Sequence, residues 1–175
     1  VDKTGCNSSS ISNCSIIGNT QYSSDGSSFT TINDAGLIAL WGDQHYFTNN
    51  IIVPESDAVV SILGGGSDKI DLTYNHYNKL SGVTSTDNGG NVSGLTSGKI
   101  GALEWSNDDN DSYYWKWDGT INGSAPSFTN QLNVYNRVNE LCLDFINWSG
   151  SDFYKDQRNA ARGDGEWWPG SYQKN

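Results

Sequence analysis

The sequence predicts a mainly β protein, built as an antiparallel two-sheet sandwich. Charged residues make up only 17% of its 175 residues, and it is rich in serine, threonine, asparagine and glycine, a composition typical of extracellular β-rich proteins. From Lys69 to Tyr74, apolar and polar side chains alternate, as they do in a half-buried strand. Turn signals separate this segment from other short apolar segments. We therefore expect one extracellular domain over residues 1–175.

Several other elements follow from local patterns. Apolar segments bounded by turn residues predict further strands at residues 37–41, 46–53 and 58–63. The three glycines at 64–66 predict a break after the last of these strands. The Ser/Thr/Gly/Asn-rich segment 81–98 is predicted to be a long loop, and residues 1–28 a loop-rich N-terminal arm. No internal repeat recurs at a fixed spacing.

The hydrophobic period changes in the C-terminal half. Phe128, Leu132 and Tyr135 recur every three to four residues, as on one face of an amphipathic helix. Further on, Leu141 and Leu143 alternate with polar residues, as in a strand. The pattern therefore predicts one helix near residues 129–140, followed by a strand.

Charge and hydropathy exclude two classes of partner. Twenty acidic residues outnumber ten lysines and arginines, so the formal net charge is -10. Nucleic-acid binding needs a basic stripe, which this sequence does not have, so we expect no nucleic-acid partner. No apolar run approaches the roughly 18 residues that cross a bilayer, so we also expect no direct membrane insertion. Secreted or cell-surface localisation fits the composition best.

The three cysteines leave the disulfide pairing open. A bridge between Cys6 and Cys14 would close a small loop in the N-terminal arm, and we favour this pairing. A longer bridge from either residue to Cys142 is the alternative, and one thiol stays unpaired in both cases. The cysteines, with His45 and His76, match none of the usual zinc-ligand spacings.

An acidic turn between aromatic segments, from Glu104 to Gly119, is the clearest candidate for a binding site. Tyr113, Trp115 and Trp117 alternate with other residues, so in a strand these three rings would share one face. Such a row of rings can form a platform on which a sugar stacks, and packing of the rings in the core is the alternative. The candidate ligand-binding residues are Trp105, Tyr113, Trp115, Trp117, Trp167 and Trp168.

The acidic turn itself offers oxygen ligands. Asp108, Asp109 and Asp111 supply carboxylates, the ligands that a calcium ion takes from a flexible loop. The register does not match an EF-hand loop, because the glycine at its sixth position and the glutamate at its twelfth are missing. Calcium is therefore a candidate cofactor, and a solvated turn is the alternative.

These features favour a recognition domain of the adhesin or lectin type, with glycans or a cell-surface receptor as partners. The second possibility is a small glycoside hydrolase, because Glu104 and Glu166 lie beside Trp105 and Trp167 in the sequence and such enzymes use two carboxylates. No recognisable motif predicts an acyl-transfer triad.

The third possibility is a structural subunit of a surface filament. The sequence resembles the globular domain of type IV pilins of the b subclass in the order of three features: Trp41-Gly42, the strand Ile70 to Tyr74, and Leu141-Cys142 within Asn139-Glu140-Leu141-Cys142. The resemblance implies an α+β domain, a disulfide at Cys142, and homo-oligomeric assembly into a pilus. The long apolar N-terminal helix of that family is absent, and Cys142 lies far from the strand.

Overall fold

The computed structural model describes residues 8–17, 36–40, 42, 44–100, 104–106, 114–116, 121, 129–130, 133–136, 153–156, 158–163 and 165–170. The strands within these ranges are β1 (Ser8–Ser12), β2 (Ser15–Ile17), β3 (Gly36–Ala39), β4 (Gln44–Thr48), β5 (Ile51–Val53), β6 (Val60–Thr73), β7 (His76–Tyr77), β8 (Leu80–Asp87), β9 (Glu104–Ser106), β10 (Tyr114–Lys116), β11 (Thr129–Asn130) and β12 (Glu166–Trp167). A 3-10 turn spans Ser97–Lys99, and residues 133–136 form one helical turn. No helix in these ranges is long and apolar enough to cross a membrane.

Two parallel sheets dominate the fold. The larger sheet contains β1, β4, β6, β3 and β8, and the smaller contains β2, β5 and β7. Every strand pair in these two sheets is parallel. Among the described strands, β9 with β10 and β11 with β12 are the antiparallel pairs. Two isolated antiparallel bridges join Ile100 to Ile121 and Lys155 to Ala161. The prediction of a mainly β chain is confirmed, but the antiparallel two-sheet sandwich is wrong.

The parallel pairing arises because the chain coils. β1, β4 and β6 each turn a corner into the smaller sheet, where they continue as β2, β5 and β7. The corner residues Asn13, Asn49 and Tyr74 have φ values of 54°, 58° and 60°, in the left-handed region. Strands of successive turns stack side by side and run in the same direction, as in a parallel β-solenoid. We call these turns rungs 1 to 4: residues 8–17, 36–53, 60–77 and 80–92.

The main hydrophobic core lies inside the coil. It is formed by six buried apolar side chains from both sheets: Leu40, Phe47, Ile52, Ile62, Ile70 and Leu72. In rung 4 the residues in register with Ile70 and Leu72 are Ser85 and Asp87, and both are exposed. The part of rung 4 that lies over Ile70 and Leu72 is therefore polar, whereas Leu80 and Val83 of the same rung pack against the core.

A row of asparagines joins the rungs at the corner: Asn50 and Asn75 are buried, and Asn91 is half-buried. Asn75 Oδ1 accepts the backbone N–H of Asn50 at 3.1 Å, and Asn75 Nδ2 donates to the carbonyl of Phe47 at 2.8 Å. Asn50 makes the same two contacts to the preceding rung: it accepts from the N–H of Cys14 and donates to the carbonyl of Ile11. Asn91 likewise accepts from the N–H of Asn75 and donates to the carbonyl of Leu72. Each asparagine thus pairs backbone groups that the corner would otherwise leave buried without partners.

The C-terminal segment covers the outer side of the smaller sheet. Ile51 and Val53 pack there against Leu95, Ile100 and Trp168. A third cluster, formed by Val134, Phe153 and Trp167, lies beside the corner residue Tyr74. The described residues between 153 and 170 are therefore part of the folded domain.

Several local predictions differ from the structure. Within residues 8–17 of the predicted N-terminal loop lie β1 and β2, and residues 81–87 of the predicted 81–98 loop belong to β8. Of the predicted helix at 129–140, residues 133–136 are helical, whereas Thr129 and Asn130 form β11. The short polar strands β1, β2 and β8 are stabilised by stacking on other rungs, and β11 by antiparallel pairing with β12. Local sequence does not report either kind of long-range pairing.

The predicted break at glycines 64–66 is a bulge inside β6. A side chain at Gly64 would collide with Val83, which explains why glycine is needed there. The buried carboxylate of Asp68 closes the bulge, because it accepts a hydrogen bond from the backbone N–H of Gly65. It also accepts one from the backbone N–H of Gly42, at 2.7 Å. The strand continues past the glycines because the neighbouring rungs hold it on both sides.

Replacing Asn75 by alanine should destabilise the coil. The substitution leaves the buried N–H of Asn50 and the carbonyl of Phe47 without partners, at about 1–3 kcal/mol each. We expect the free energy of unfolding to fall by about 3 kcal/mol and Tm by about 6–12 °C. Thermal and urea unfolding measure this effect, with the exposed Asn136→Ala as control. Equal losses in the two variants would contradict a stabilising role for the asparagine row.

Candidate functional site

The predicted aromatic platform falls partly on an antiparallel strand pair. β9 and β10 place Trp105 directly opposite Trp115, and Glu104 opposite Lys116. Two of the candidate ligand-binding residues, ten positions apart in the sequence, are thus cross-strand neighbours. The register of this pair is the geometric feature that the structure adds to the sequence prediction.

Five predicted site residues lie outside the described part of the chain. They are Tyr113, Trp117, Asp108, Asp109 and Asp111. Their roles in ligand and calcium binding therefore stay predictions. Among the residues that are described, no group of three or more His, Cys, Asp or Glu side chains is arranged to hold a metal ion.

Trp167 and Trp168 are buried, with exposed fractions of 0% and 8%. The Trp167 ring lies 5.6 Å from the ring of Phe153, and its Nε1 donates to the carbonyl of Gly163 at 2.9 Å. The Trp168 carbonyl accepts a hydrogen bond from Nδ2 of Asn49, a corner residue of rung 2, at 3.0 Å. In this conformation both tryptophans hold the C-terminal segment against the coil.

A buried arginine supports the same contact. Arg162 is 3% exposed and donates to the carbonyls of Trp168 at 3.2 Å and Gly170 at 2.6 Å. Its guanidinium also lies over the Trp167 ring, 5.4 Å from the centroid. Burial lowers the pKa of Arg162 to about 10, and the charge of Asp156 opposes this shift. At neutral pH Arg162 is therefore charged, and it binds the carbonyls of Trp168 and Gly170 as a cation.

Cys14 lies in the electrostatic field of this arginine. Its thiol is free in the structure, and Sγ donates to the carbonyl of Ser12 at 3.2 Å. Burial raises the pKa of Cys14, and Arg162 opposes the shift. The thiol is therefore protonated at neutral pH. The other two cysteines, Cys6 and Cys142, lie outside the described residues.

The two glutamates of the glycosidase hypothesis lie in different strand pairs. Glu104 belongs to β9, which pairs with β10. Glu166 is exposed on β12, which pairs with β11. The strand pairing does not itself join the two carboxylates, so the two-carboxylate enzyme stays a sequence prediction.

A polar face that no sequence pattern predicted lies on the outside of the larger sheet. Strand register aligns two rows of side chains across rungs 2 to 4: Gln44, Lys69 and Thr84 in one row, and Tyr46, Asp71 and Thr86 in the other. All six are exposed or half-buried. Because the rows join residues far apart in the chain, no local motif signals them.

Both histidines are buried in the coil, which their sequence context did not predict. His45 and His76 are each 3% exposed. Ser9 Oγ lies 2.7 Å from His45 Nδ1, and His45 Nε2 is buried without a hydrogen-bond partner in the described structure. Burial lowers the pKa of His45, and the charge of Asp68 opposes the shift. Burial also lowers the pKa of His76 to about 4, and a backbone hydrogen bond with Tyr74 opposes the shift.

The class that these observations define is a parallel β-coil with an aromatic, antiparallel strand pair. No family model, curated protein or solved structure matches the chain. A fold by itself does not fix a function, so functional inference rests on the sites described above.

Buried His76 should make stability pH-dependent. Unfolded histidine binds a proton near pH 6.5, whereas folded His76 stays neutral until about pH 4. The unfolded state therefore gains protons first, and the free energy of unfolding falls as pH drops from 6.5 towards 4. The expected contribution is about 2 kcal/mol between pH 7 and pH 5.

Urea unfolding of wild type and His76→Gln at the two pH values isolates this contribution. Carboxylates titrate in both proteins, so the difference between the two pH dependences reports the histidine. Identical pH dependence in the two proteins would show that His76 is not the group responsible.

Proposed function

We propose that this protein is a secreted or cell-surface recognition domain that binds carbohydrate through Trp105 and Trp115. The observation that carries the proposal is their cross-strand register on β9 and β10. Aromatic residues at interfaces combine a large apolar surface with a polar handle, which suits a sugar ring with one apolar face. Two tryptophans at paired positions offer more stacking surface than either residue alone.

Polar residues of the same stretch would complete the site. Sugar hydroxyls are bound by amide and carboxylate groups, and the segment between β9 and β10 is rich in asparagine and aspartate. We infer that Tyr113 and Trp117 extend the aromatic surface, and that Asp108, Asp109 and Asp111 bind calcium near the ligand. Trp167 and Trp168 are left out of this site because both are buried.

A second candidate function is a subunit of a surface filament. Within the described residues, β8 pairs only with β6 and β1 only with β4, so each end of the coil has an open sheet edge. Thr84 and Thr86 on β8 are exposed. An exposed edge strand is a template for pairing with another chain, and head-to-tail pairing of this kind builds filaments.

The carbohydrate proposal predicts that Trp105→Ala and Trp115→Ala each weaken glycan binding by about tenfold or more. A glycan array identifies ligands, and calorimetry then measures Kd with calcium and with chelator. Tyr46→Ala is the matched aromatic control, because Tyr46 lies on the larger sheet rather than on β9 or β10. Loss of binding with chelator supports calcium assistance, whereas unchanged binding leaves the aromatic pair as the whole site.

Two outcomes would overturn this proposal. If both tryptophan variants bind every glycan as the wild type does, the pair is not the site. If Tyr46→Ala alone loses binding, the ligand lies on the polar face of the coil.

The filament candidate has a separate test. Lysines on an edge strand oppose pairing with another chain, so Thr84→Lys with Thr86→Lys should abolish any concentration-dependent assembly seen by analytical ultracentrifugation. Sedimentation of the wild type as a monomer at high concentration would argue against the filament.

A further inference from the structure

Rungs 1 and 2 bring a serine hydroxyl and a histidine together. Ser9 on β1 and His45 on β4 are partners in strand register, and the Ser9 Oγ to His45 Nδ1 distance is 2.7 Å. His45 is also in register with Ile70 of the inner core. The pair therefore lies on the inner side of the coil, at its rung 1 end. A nucleophile within hydrogen-bond reach of a base is the first geometric requirement for nucleophilic catalysis.

His45 has the protonation state of a base. Its burial lowers its pKa, so the ring is neutral at pH 7 and Nδ1 can accept the serine proton when the ring proton is on Nε2. The charge of Asp68 on β6 opposes this lowering of the His45 pKa. The Asp68 carboxylate is buried and accepts a hydrogen bond from the N–H of Gly42. A nearby carboxylate stabilises the imidazolium that forms when the base takes a proton.

Ser9 is also within reach of a reactant. Its side chain is half-buried, whereas His45 behind it is buried. β1 is an edge strand in the described structure, and the N–H groups along an open edge are not used by a neighbouring strand. Such donors can stabilise the oxyanion that forms when a carbonyl is attacked.

We propose that Ser9 and His45 form a nucleophile–base pair that accepts acyl groups from activated esters. Ser9 Oγ attacks the carbonyl carbon and its proton moves to His45 Nδ1, while the carbonyl electron pair moves to oxygen. Collapse of this intermediate breaks the bond to the leaving alcohol, which takes the proton from His45. Water then releases the acyl group from Ser9 by the same sequence of steps. This activity is independent of the proposed glycan binding.

A fluorophosphonate probe tests the pair directly. The serine oxygen forms a bond to phosphorus, fluoride leaves, and the serine proton is taken by His45. We expect mass spectrometry to find the label on the peptide that contains Ser9 in the wild type and in Ser10→Ala, but not in Ser9→Ala. Ser10 is the matched control because it is the next residue of the same strand. Labelling in His45→Gln should be slower by about 100-fold or more.

The pH dependence of labelling separates a base from a structural partner. Because the reaction requires neutral His45, the wild-type rate should be constant from pH 8 to 6.5 and fall at lower pH. This readout remains decisive if His45→Gln fails to fold, which thermal unfolding will show. An unlabelled Ser9, an equal rate in folded His45→Gln, or a rate that does not fall on acidification would each overturn the proposal.

Discussion

The fold depends on how buried backbone groups are paired where the chain turns between the two sheets. Asn50 and Asn75 lie at equivalent positions after the corners of successive rungs and are fully buried. Each amide side chain accepts a backbone N–H and donates to a backbone carbonyl of the rung before it. A one-residue shift between rungs would break these bonds and leave several buried polar groups unpaired. The row therefore fixes the register of the whole coil. Cys14 occupies the equivalent position in rung 1, and its own N–H is paired by Asn50.

The same corner holds the C-terminal segment. Asn49 donates to the carbonyl of Trp168 and accepts the N–H of Gly170, at 3.0 and 2.7 Å. Arg162 donates to the carbonyls of Trp168 and Gly170 in the same segment, which compensates for the burial of its charge. The register of the corner thus also determines where Trp167 and Trp168 are buried.

Parallel stacking also determines which chemical groups meet. In an antiparallel hairpin, partners are close in sequence, as Trp105 and Trp115 are. In the coil, each residue instead meets a residue one rung away, so Ser9 contacts His45 across 36 positions. The coil can therefore assemble reactive pairs and polar rows from segments that carry no recognisable motif.

The sequence by itself determined the properties that depend on composition and on neighbouring residues: the mainly β class and the positions of some strands. Its composition indicated a mainly β chain, and the alternation from Lys69 to Tyr74 located a strand that lies in β6 as far as Thr73. The aromatic stretch also pointed to residues of β9 and β10.

Only the tertiary structure decided strand direction, because alternation is the same in parallel and antiparallel sheets. It also decided which residues are partners. Ser8, Gln44, Lys69 and Thr84 are successive partners across the rungs. The spacing between partners differs from one rung to the next, so no fixed repeat appears in the sequence. The asparagine row, the glycine bulge and the Ser9–His45 contact all depend on this long-range register, which no local pattern records.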